Sequence, residues 1–188
     1  MKCQEITIPK RNGKHRKICI PSKAVRRRMR RNLGEILDAN LGVDTSAMHG
    51  FLPGRSPVTN ALQHVGCEYT VSFDLADFFD TTPKRLWSLL NRVKERLHAY
   101  KGRIPQGFPT SPLICTLATA ALDTEIGDAV NRIVSSEKQV TGHWSSVKYT
   151  RYADDLTFST NSRQIVRLLQ DHIPRVCNET GFSVNPAK

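Results

Sequence analysis

Three aspartates follow apolar, strand-like segments of this sequence, and their side chains could share a metal site. Asp74 comes directly after the segment VSF, and the adjacent pair Asp154 and Asp155 follows the segment KYTRYA. If both segments are central strands of one sheet, the carboxylates converge and repel each other unless a divalent cation neutralises them. Hard oxygen ligands of this kind suit Mg²⁺ or Mn²⁺. Two such ions about 4 Å apart would support an in-line phosphoryl displacement. An ordinary acidic hairpin turn is the alternative interpretation of the adjacent pair.

A hairpin and a helix are expected before the first of these aspartates. Residues 4 to 20 alternate between apolar and polar types around Asn12-Gly13, a dipeptide that favours a two-residue β-turn. From Lys23 to Asn40, apolar side chains recur at the spacing of an amphipathic helix. Residues 49 to 57 are rich in Gly and Pro, which predicts a loop. The hairpin would present its basic loop outward.

A sheet with packed helices is expected from residue 68 onward. The predicted strands are 69–74, 147–152, 156–159 and 182–185, and the predicted helices are 82–99, 110–132 and 162–180. The second of these helices opens with Thr110-Ser111-Pro112, in which a hydroxyl cap precedes a proline in the first turn. The order of strands and helices matches a split βαβ sheet, which predicts an α+β fold.

The chain is strongly basic, and the excess charge is concentrated near its N-terminus. Its 188 residues include 28 Lys and Arg against 17 Asp and Glu, a formal charge of +11. The densest run consists of Arg26, Arg27, Arg28, Arg30 and Arg31. Side chains this close repel one another unless a polyanion neutralises them, which favours binding of a nucleic acid. A solvated basic face is the alternative interpretation.

Composition argues against several other classes of protein. The five cysteines contain no CxxC pair and have no histidines at zinc-ligand spacing, so a zinc–thiolate site is not expected. The sequence has no uncharged apolar stretch of about 18 residues and no apolar core of a signal peptide. We therefore expect a cytoplasmic protein with reduced cysteines and no membrane partner.

The segment around the acidic pair resembles a catalytic motif of a polymerase family. YADD, at residues 152–155, is similar to the YxDD box of reverse transcriptases, and the wider YTRYADDLTFS resembles the bacterial retron-type group. Upstream, FDLADFF resembles the first catalytic motif of the same family. The resemblance implies that Asp74, Asp154 and Asp155 bind two Mg²⁺ ions, or Mn²⁺ in their place. It also implies that the carbonyl group of Leu75 is a further metal ligand.

Three further matches imply a nucleotide site. Phe79 occupies the position of the family's steric gate, where an aromatic ring rejects the ribose 2′-hydroxyl, so dNTPs are the implied substrates. IPQG resembles the family's PQG box, which implies that Gln106 and Gly107 contact the incoming nucleotide. Lys10 and Arg16 resemble the hairpin residues that hold the triphosphate, a role that suits charged phosphate contacts. A solvated basic hairpin is the alternative interpretation.

Two shorter motifs extend the resemblance. GFSVNPAK, at residues 181–188, is similar to the family motif GxxxNxxK, which implies that Lys188 protonates the pyrophosphate leaving group as a general acid. NALQH, at residues 60–64, resembles the NAxxH signature of retron enzymes and ranks them above intron-encoded reverse transcriptases. A structural role is the alternative interpretation of His64.

The resemblance also implies a domain organisation. Residues 1–67 would form the fingers lobe, and residues 68–188 would form the palm of a right-hand polymerase, with the acidic motifs on its antiparallel sheet. Residues between about 80 and 110 return to the fingers in polymerases of this type. Family members continue beyond the lysine motif into a thumb, which is not expected in this sequence. We interpret the chain as part of a longer protein; a thumb-supplying subunit or a clamping RNA is the alternative.

The function that the resemblance implies is that of an RNA-directed DNA polymerase. Such an enzyme transfers dNMP from dNTP to a primer hydroxyl on a structured noncoding RNA, forming an RNA–DNA hybrid. The retron group further implies antiviral defence with an associated effector protein. One alternative is a scaffold that holds RNA in a defence complex without catalysis, and another is a fragment of a group II intron-like reverse transcriptase. The acidic triad, aromatic gate and PQG box together favour the enzyme.

Overall fold

The structure is a computed structural model that describes residues 3–9, 13, 15–38, 42–82 and 99–186. Its strands are β1 (Cys3–Pro9), β2 (His15–Pro21), β3 (Tyr69–Asp74), β4 (Val147–Tyr152) and β5 (Asp155–Thr160). Its helices are α1 (Lys23–Asp38), α2 (Pro57–Leu62), α3 (Phe78–Thr81), α4 (Ser111–Ala118), α5 (Ala120–Thr141) and α6 (Arg163–Glu179). This mixture of helices and antiparallel strands confirms the predicted α+β class.

The predicted hairpin is formed by β1 and β2. The strands pair antiparallel from Cys3 opposite Pro21 to Pro9 opposite His15. At its base, Cys19 of β2 packs with Met29 of α1 and with Phe108, in a small apolar cluster separate from the main core. The hairpin is therefore anchored both to α1 and to the loop that precedes α4.

The central sheet has the strand order β3-β5-β4, and both pairings are antiparallel. The predicted strand at 182–185 is present only as a single antiparallel bridge between Leu75 and Val184. Gly181 and Pro186 flank this segment, and a proline has no N–H with which to extend a ladder. The segment nevertheless lies beside the end of β3, where the first acidic motif begins.

The main hydrophobic core lies between one face of this sheet and the helices α5 and α6. Leu156 and Phe158 of β5 are fully buried there with Ile126 of α5 and Leu169 of α6. Burying a side chain of this size contributes about 1.5–3 kcal/mol to stability. On α6 the buried residues Ile165, Leu169, Ile173 and Cys177 recur every four positions. That spacing explains why the predicted helix at 162–180 is confirmed.

The predicted helix at 110–132 is wrong in two respects. It is two helices, α4 and α5, which meet at Thr119, and the second continues to Thr141. The Thr119 hydroxyl donates to the backbone carbonyl groups of Cys115 and Thr116, and such bonding often bends a helix. Thr110 is the N-cap residue and Pro112 lies in the first turn, as predicted, but the Thr110 side chain makes no capping hydrogen bond.

The remaining predicted elements have mixed outcomes. The amphipathic helix after residue 23 is α1, and residues 49–56 form a loop as predicted. The short helix α2 was not predicted; a capping box between Ser56 and Thr59 begins it. The predicted helix at 82–99 lies outside the described residues except for its two ends. None of the helices in the described ranges has both the length and the apolar character needed to cross a bilayer.

Candidate functional site

Asp74 and Asp155 face each other across two paired strands. Asp74 ends β3, Asp155 begins β5, and the antiparallel register places them directly opposite. Opposite residues in an antiparallel pair have Cβ atoms about 4.5–5.5 Å apart and project from the same face. Side chains alternate between the two faces along a strand. Leu156 and Phe158 project from the face of β5 opposite to Asp155, and both are buried in the main core. The two aspartates therefore project from the sheet face opposite the main core.

The turn between β4 and β5 places Asp154 beside the end of β3. Ala153 has a positive φ of 57°, a left-handed conformation that lets the chain reverse within two residues. The carbonyl oxygen of Asp154 accepts a 2.9 Å hydrogen bond from the N–H of Leu75. The acidic turn is thereby joined to the first acidic motif through the backbone. All three predicted catalytic aspartates lie at this junction.

The segment after α6 supports Asp74 from the other side. The N–H of Asn185 donates to the Asp74 carbonyl oxygen at 2.8 Å, and the Ala76 N–H donates to Ser183 at 2.7 Å. The Asn185 side-chain amide also donates to the carboxylate of Asp74. Asp74 is only 8% exposed. Its carboxylate is therefore held in one orientation, and the asparagine of the GxxxNxxK motif provides part of that restraint.

The donor chemistry of this junction fits a hard divalent cation. Two carboxylates on opposite strands and a third on the adjoining turn offer the oxygen ligands that Mg²⁺ prefers. Within the described ranges, however, no group of three His, Cys, Asp or Glu side chains is arranged as a metal site. Metal binding by Asp74, Asp154, Asp155 and the carbonyl group of Leu75 therefore stays a prediction.

A cleft opens between the N-terminal hairpin and the loop that contains the PQG sequence. The N–H of Cys19 donates a 2.8 Å hydrogen bond to the carbonyl oxygen of Gln106. Gly107, at a φ of +101°, packs so closely that a Cβ there would lie 2.5 Å from the Cys19 carbonyl oxygen. The hairpin and the loop are therefore in direct backbone contact, with no space for a side chain at Gly107.

This cleft has a volume of about 420 Å³, and its lining has five basic side chains against three acidic ones, which are Glu5, Asp77 and Asp80. The predicted residues Arg16 and Gln106 both line it, so the structure brings them together. Its other basic side chains are His15, Lys17, Lys101 and Arg103. Lys101 pairs with Glu5 at 2.6 Å, and Arg103 pairs with Asp80 at 3.3 Å. The sequence did not point to Lys101 and Arg103 as residues of this cleft. They precede the PQG sequence in a segment without a strong helix or strand pattern.

Phe79 lies in α3, close after the first acidic motif. Its ring meets the ring of Phe78 edge to face at 5.7 Å, and Phe78 is buried. The N-cap residue of α3, Asp77, has a left-handed conformation with a φ of 47°. A turn at Ala76 and Asp77 separates Asp74 and Leu75 from α3. Phe79 is half-buried, so one side of the ring is packed and part of it is accessible.

The arginine run lies on α1. Arg27, Arg28, Arg30 and Arg31 are exposed and Arg26 is half-buried, whereas Met29 and Asn32 face the interior. The helix therefore separates an apolar side from a basic surface. Lys10 and Lys188, the predicted triphosphate ligand and general acid, lie outside the described residues.

Sequence reasoning also missed a buried polar network behind the acidic turn. Arg151 of β4 has no exposed surface and forms an ion pair with Asp123 of α5 at 2.6 Å. The Tyr149 hydroxyl donates to the same carboxylate at 2.6 Å. One signal was available: Arg151 shares its strand face with Val147 and Tyr149, and a charge on an apolar face requires a partner.

Comparison with known proteins identifies the family. Residues 8–188 match the family described as reverse transcriptase (RNA-dependent DNA polymerase). The retron Mx162 reverse transcriptase of Myxococcus xanthus is 34% identical over 97% of this chain and 42% of its own length. The retron Mx65 enzyme of the same organism is 31% identical over 96% of this chain and 46% of its own length. The retron Ec86 reverse transcriptase of Escherichia coli is 31% identical over 74% of this chain and 43% of its own length.

A solved structure was also matched. The prototype foamy virus protease-reverse transcriptase aligns with a TM-score of 0.47 and 18% identity, over 98% of this chain and 20% of that one.

Two observations define the class of protein. The antiparallel sheet pairs two aspartates at a strand junction, and residues 8–188 match the family. The chain belongs to the reverse transcriptase family, and the curated relatives named above are retron reverse transcriptases. The chain spans less than half the length of each of these three relatives.

Proposed function

We propose that this chain contains the catalytic part of an RNA-directed DNA polymerase that transfers dNMP from dNTP to a primer hydroxyl. The observation that carries the proposal is the pairing of Asp74 with Asp155, beside the turn that contains Asp154. In a two-ion arrangement, Mg²⁺ would lower the barrier by neutralising charge on the attacking and leaving oxygen atoms. Asp74, Asp154, Asp155 and the carbonyl group of Leu75 are the proposed ligands.

The basic cleft is the proposed nucleotide site. Arg16 would bind the triphosphate, because a guanidinium group can donate two parallel hydrogen bonds to phosphate oxygens. Gln106 lines the same cleft, and Gly107 lets the loop approach the hairpin backbone at Cys19. Phe79 would exclude the ribose 2′-hydroxyl by steric overlap. Lys10 would add a second phosphate contact, and Lys188 would protonate the leaving pyrophosphate.

The domain assignment follows from the same family. Residues 1–67 are the proposed fingers lobe, residues 68–188 are the proposed palm, and residues between about 80 and 110 are the proposed return to the fingers. The arginine run of α1 is the proposed contact for the template RNA, since its exposed guanidinium groups can bind phosphates.

The biological context is a further part of the proposal. The template would be a structured noncoding RNA, the product an RNA–DNA hybrid, and the role antiviral defence with an effector protein in the cytoplasm. Support comes from the relatives, which are named as retron reverse transcriptases. Sequencing the RNA that copurifies with the protein tests this part. Recovery of one structured RNA species is expected, and a random sample of cellular RNA would contradict it.

The catalytic proposal is tested by dNTP incorporation on a primed RNA template with Mg²⁺. The double variant Asp154→Asn, Asp155→Asn should lower the rate by roughly 10³-fold or more, since it removes two of the three proposed carboxylate ligands. Asp171→Asn is the matched control, because Asp171 is exposed on α6. Full incorporation by the double variant would contradict the assignment. RNA binding without incorporation, by parent and variant alike, would favour the scaffold.

A further inference from the structure

Arg151 is the largest fully buried side chain near the acidic turn, and all of its guanidinium nitrogens have partners. Its Nε donates to Oδ1 of Asp123 at 2.8 Å, and one terminal nitrogen donates to Oδ2 at 2.6 Å. This is a bidentate ion pair between β4 and α5. The Asp123 side chain is 8% exposed, so solvent screens the pair very little.

The same guanidinium group also binds the turn itself. Its other terminal nitrogen, Nη1, donates to the carbonyl oxygen of Ala153 at 3.1 Å. Nη2, which also binds Asp123, donates to the carbonyl oxygen of Thr116 at 2.9 Å. Ala153 is the left-handed residue of the turn and directly precedes Asp154. Arg151 therefore connects the two helices α4 and α5 to the residue that sets the direction of the turn.

Tyr149 fixes the orientation of the pair. Its hydroxyl donates to Oδ1 of Asp123 at 2.6 Å, next to the bond from Arg151. Desolvation, followed by the charge of Asp123, raises the pKa of Tyr149 well above its ordinary value. Burial alone would lower the pKa of Arg151, but Asp123 and Tyr149 together raise it. These shifts keep the Arg151 guanidinium charged and the Tyr149 phenol neutral.

The turn is held from its other side as well. A Cβ on Gly50 would lie 2.6 Å from the backbone nitrogen of Ala153, so the two backbones are in direct contact. The N–H of His49 donates to the Arg151 carbonyl oxygen at 2.8 Å, and the N–H of Arg151 donates to Ala47 at 2.7 Å. Ala153 is therefore enclosed between Gly50 and the guanidinium group, which leaves the acidic turn little freedom to move.

We propose that Arg151 and Asp123 are positioning residues that hold the Ala153 carbonyl group, and thereby fix Asp154 and Asp155 opposite Asp74 for divalent-cation binding. The proposal rests on the proposed polymerase function, because it concerns the same acidic junction. Groups that orient metal ligands without touching the metal typically change metal affinity or activity by about 10–100-fold when altered. A merely structural ion pair would change stability and leave the affinity intact.

The test compares Arg151→Lys and Asp123→Asn, both close in size to the parent side chains. Mn²⁺ alone is titrated and followed by electron paramagnetic resonance, and kcat, the dNTP KM and the thermal midpoint are measured on the same samples. We expect Mn²⁺ affinity and kcat to fall by about 10–100-fold, with KM changed less than about twofold. Higher Mn²⁺ concentration should restore kcat, because the aspartates themselves remain.

Glu137→Gln is the matched control. Glu137 is a buried carboxylate on the same helix, α5, and accepts a hydrogen bond from Ser162 at the start of α6, away from the turn. Its variant should lower the thermal midpoint and keep parental Mn²⁺ affinity. If Arg151→Lys and Asp123→Asn behave in the same way as this control, the positioning role is wrong.

A milder variant covers the case in which the charged variants do not fold. Tyr149→Phe removes only the hydroxyl that orients Asp123, and its Mn²⁺ affinity should fall in the same direction by a smaller factor. Parental affinity in Tyr149→Phe, with the other two unfolded, would count against the proposal. Failure of the proposed function is separately recognisable, since the parent protein would then neither bind Mn²⁺ nor incorporate dNTP.

Discussion

The backbone N–H of Cys19 donates a 2.8 Å hydrogen bond to the carbonyl oxygen of Gln106. This bond joins the N-terminal hairpin to the loop before α4, at the base of the cationic cleft. It depends on Gly107, the next residue, whose missing side chain lets the two backbones approach. The close approach of the hairpin to this loop therefore requires a glycine at position 107.

Gly107→Ala should damage both stability and nucleotide binding. The added Cβ would lie 2.5 Å from the Cys19 carbonyl oxygen and 2.6 Å from Cγ2 of Ile18, at a φ of +101°. The loop must move away from the hairpin, and the left-handed backbone adds strain of about 1–3 kcal/mol. We expect a lower free energy of unfolding in urea and a higher KM for dNTP. Unchanged values of both would contradict the role of this contact.

Gly127→Ala is the control for this substitution. Gly127 lies inside α5, and a Cβ there would meet no atom within 4 Å. Because alanine is the better helix former, the variant should gain about 0.5–1 kcal/mol of stability and keep the parental KM. The two glycine-to-alanine variants should thus change the free energy of unfolding in opposite directions.

Phe79→Ala should relax discrimination against ribonucleotides. If the ring excludes the ribose 2′-hydroxyl, removing it should lower the ratio of kcat/KM for dNTP over NTP by roughly 10–100-fold. Phe79→Tyr keeps the ring and should keep the discrimination. Single-nucleotide incorporation with matched dNTP and NTP measures both. An unchanged ratio in Phe79→Ala would remove Phe79 from the nucleotide site, whatever the variant does to stability.

Local patterns predicted much of this fold. The alternation around Asn12-Gly13 correctly indicated the hairpin of β1 and β2, and short apolar segments correctly indicated β3, β4 and β5. The convergence of the first acidic motif with the acidic turn was also predictable, because both follow strands of one sheet. Patterns of this kind depend on neighbours within a few residues, and the periodicities of strands and helices express them directly.

Contacts between distant segments could not be predicted in the same way. Arg151 and Asp123 are 28 positions apart, and His64 and Ser159 are 95 positions apart. Both contacts depend on strand register and helix placement. The break at Thr119 was missed for a different reason, since the Ala- and Leu-rich sequence around it favours one continuous helix, whereas one helix ends at Ala118 and the next begins at Ala120.

His64 should make the stability of the protein sensitive to mild acid. Its Nδ1 lies 2.7 Å from the Ser159 hydroxyl and its Nε2 lies 2.7 Å from the Thr150 hydroxyl, so one ring joins β5 to β4. Burial, and then the charge of Lys148, lower the pKa of His64 below its ordinary value of 6.5. The unfolded chain therefore binds this proton first as the pH falls.

The sign of the effect follows from that order of protonation. The contribution of His64 is complete above about pH 6.5 and is lost as the pH falls from there toward the lower pKa of the folded state. His49, which accepts a hydrogen bond from Arg55 at 3.2 Å, also has a pKa lowered by burial and changes stability in the same direction. The thermal midpoint of the protein should therefore decrease as the pH is lowered from 7.5 to 5.

His64→Gln isolates its share of this pH dependence. The variant should be less stable at pH 7.5 but should lose less stability than the parent on acidification. Lys148→Gln keeps the ring and removes one charge that opposes its protonation, so its curve should lie between the other two. Parallel curves for the parent and His64→Gln would show that the acid sensitivity comes from other groups.

The arginine run of α1 should be responsible for a measurable part of the salt dependence of RNA binding. Arg27, Arg30 and Arg31 are exposed on one helix, and each phosphate contact releases condensed counterions from the nucleic acid. Changing all three to Gln should reduce the slope of log K against log salt by roughly 0.7–0.9 per lost contact, or about 2–3 in total. Fluorescence anisotropy with a labelled RNA at several KCl concentrations measures the slope.

Net charge alone would also weaken binding, so the control must remove the same charge elsewhere. Arg163, Arg167 and Arg175 are exposed on α6, which packs against the core side of the sheet. Their triple Gln variant lowers the formal charge by three as well, yet it should keep the parental slope if α1 makes the direct contacts. Equal slopes for the two triple variants would mean that the RNA responds to the overall field of the protein, and α1 would then lose its assignment as the template contact.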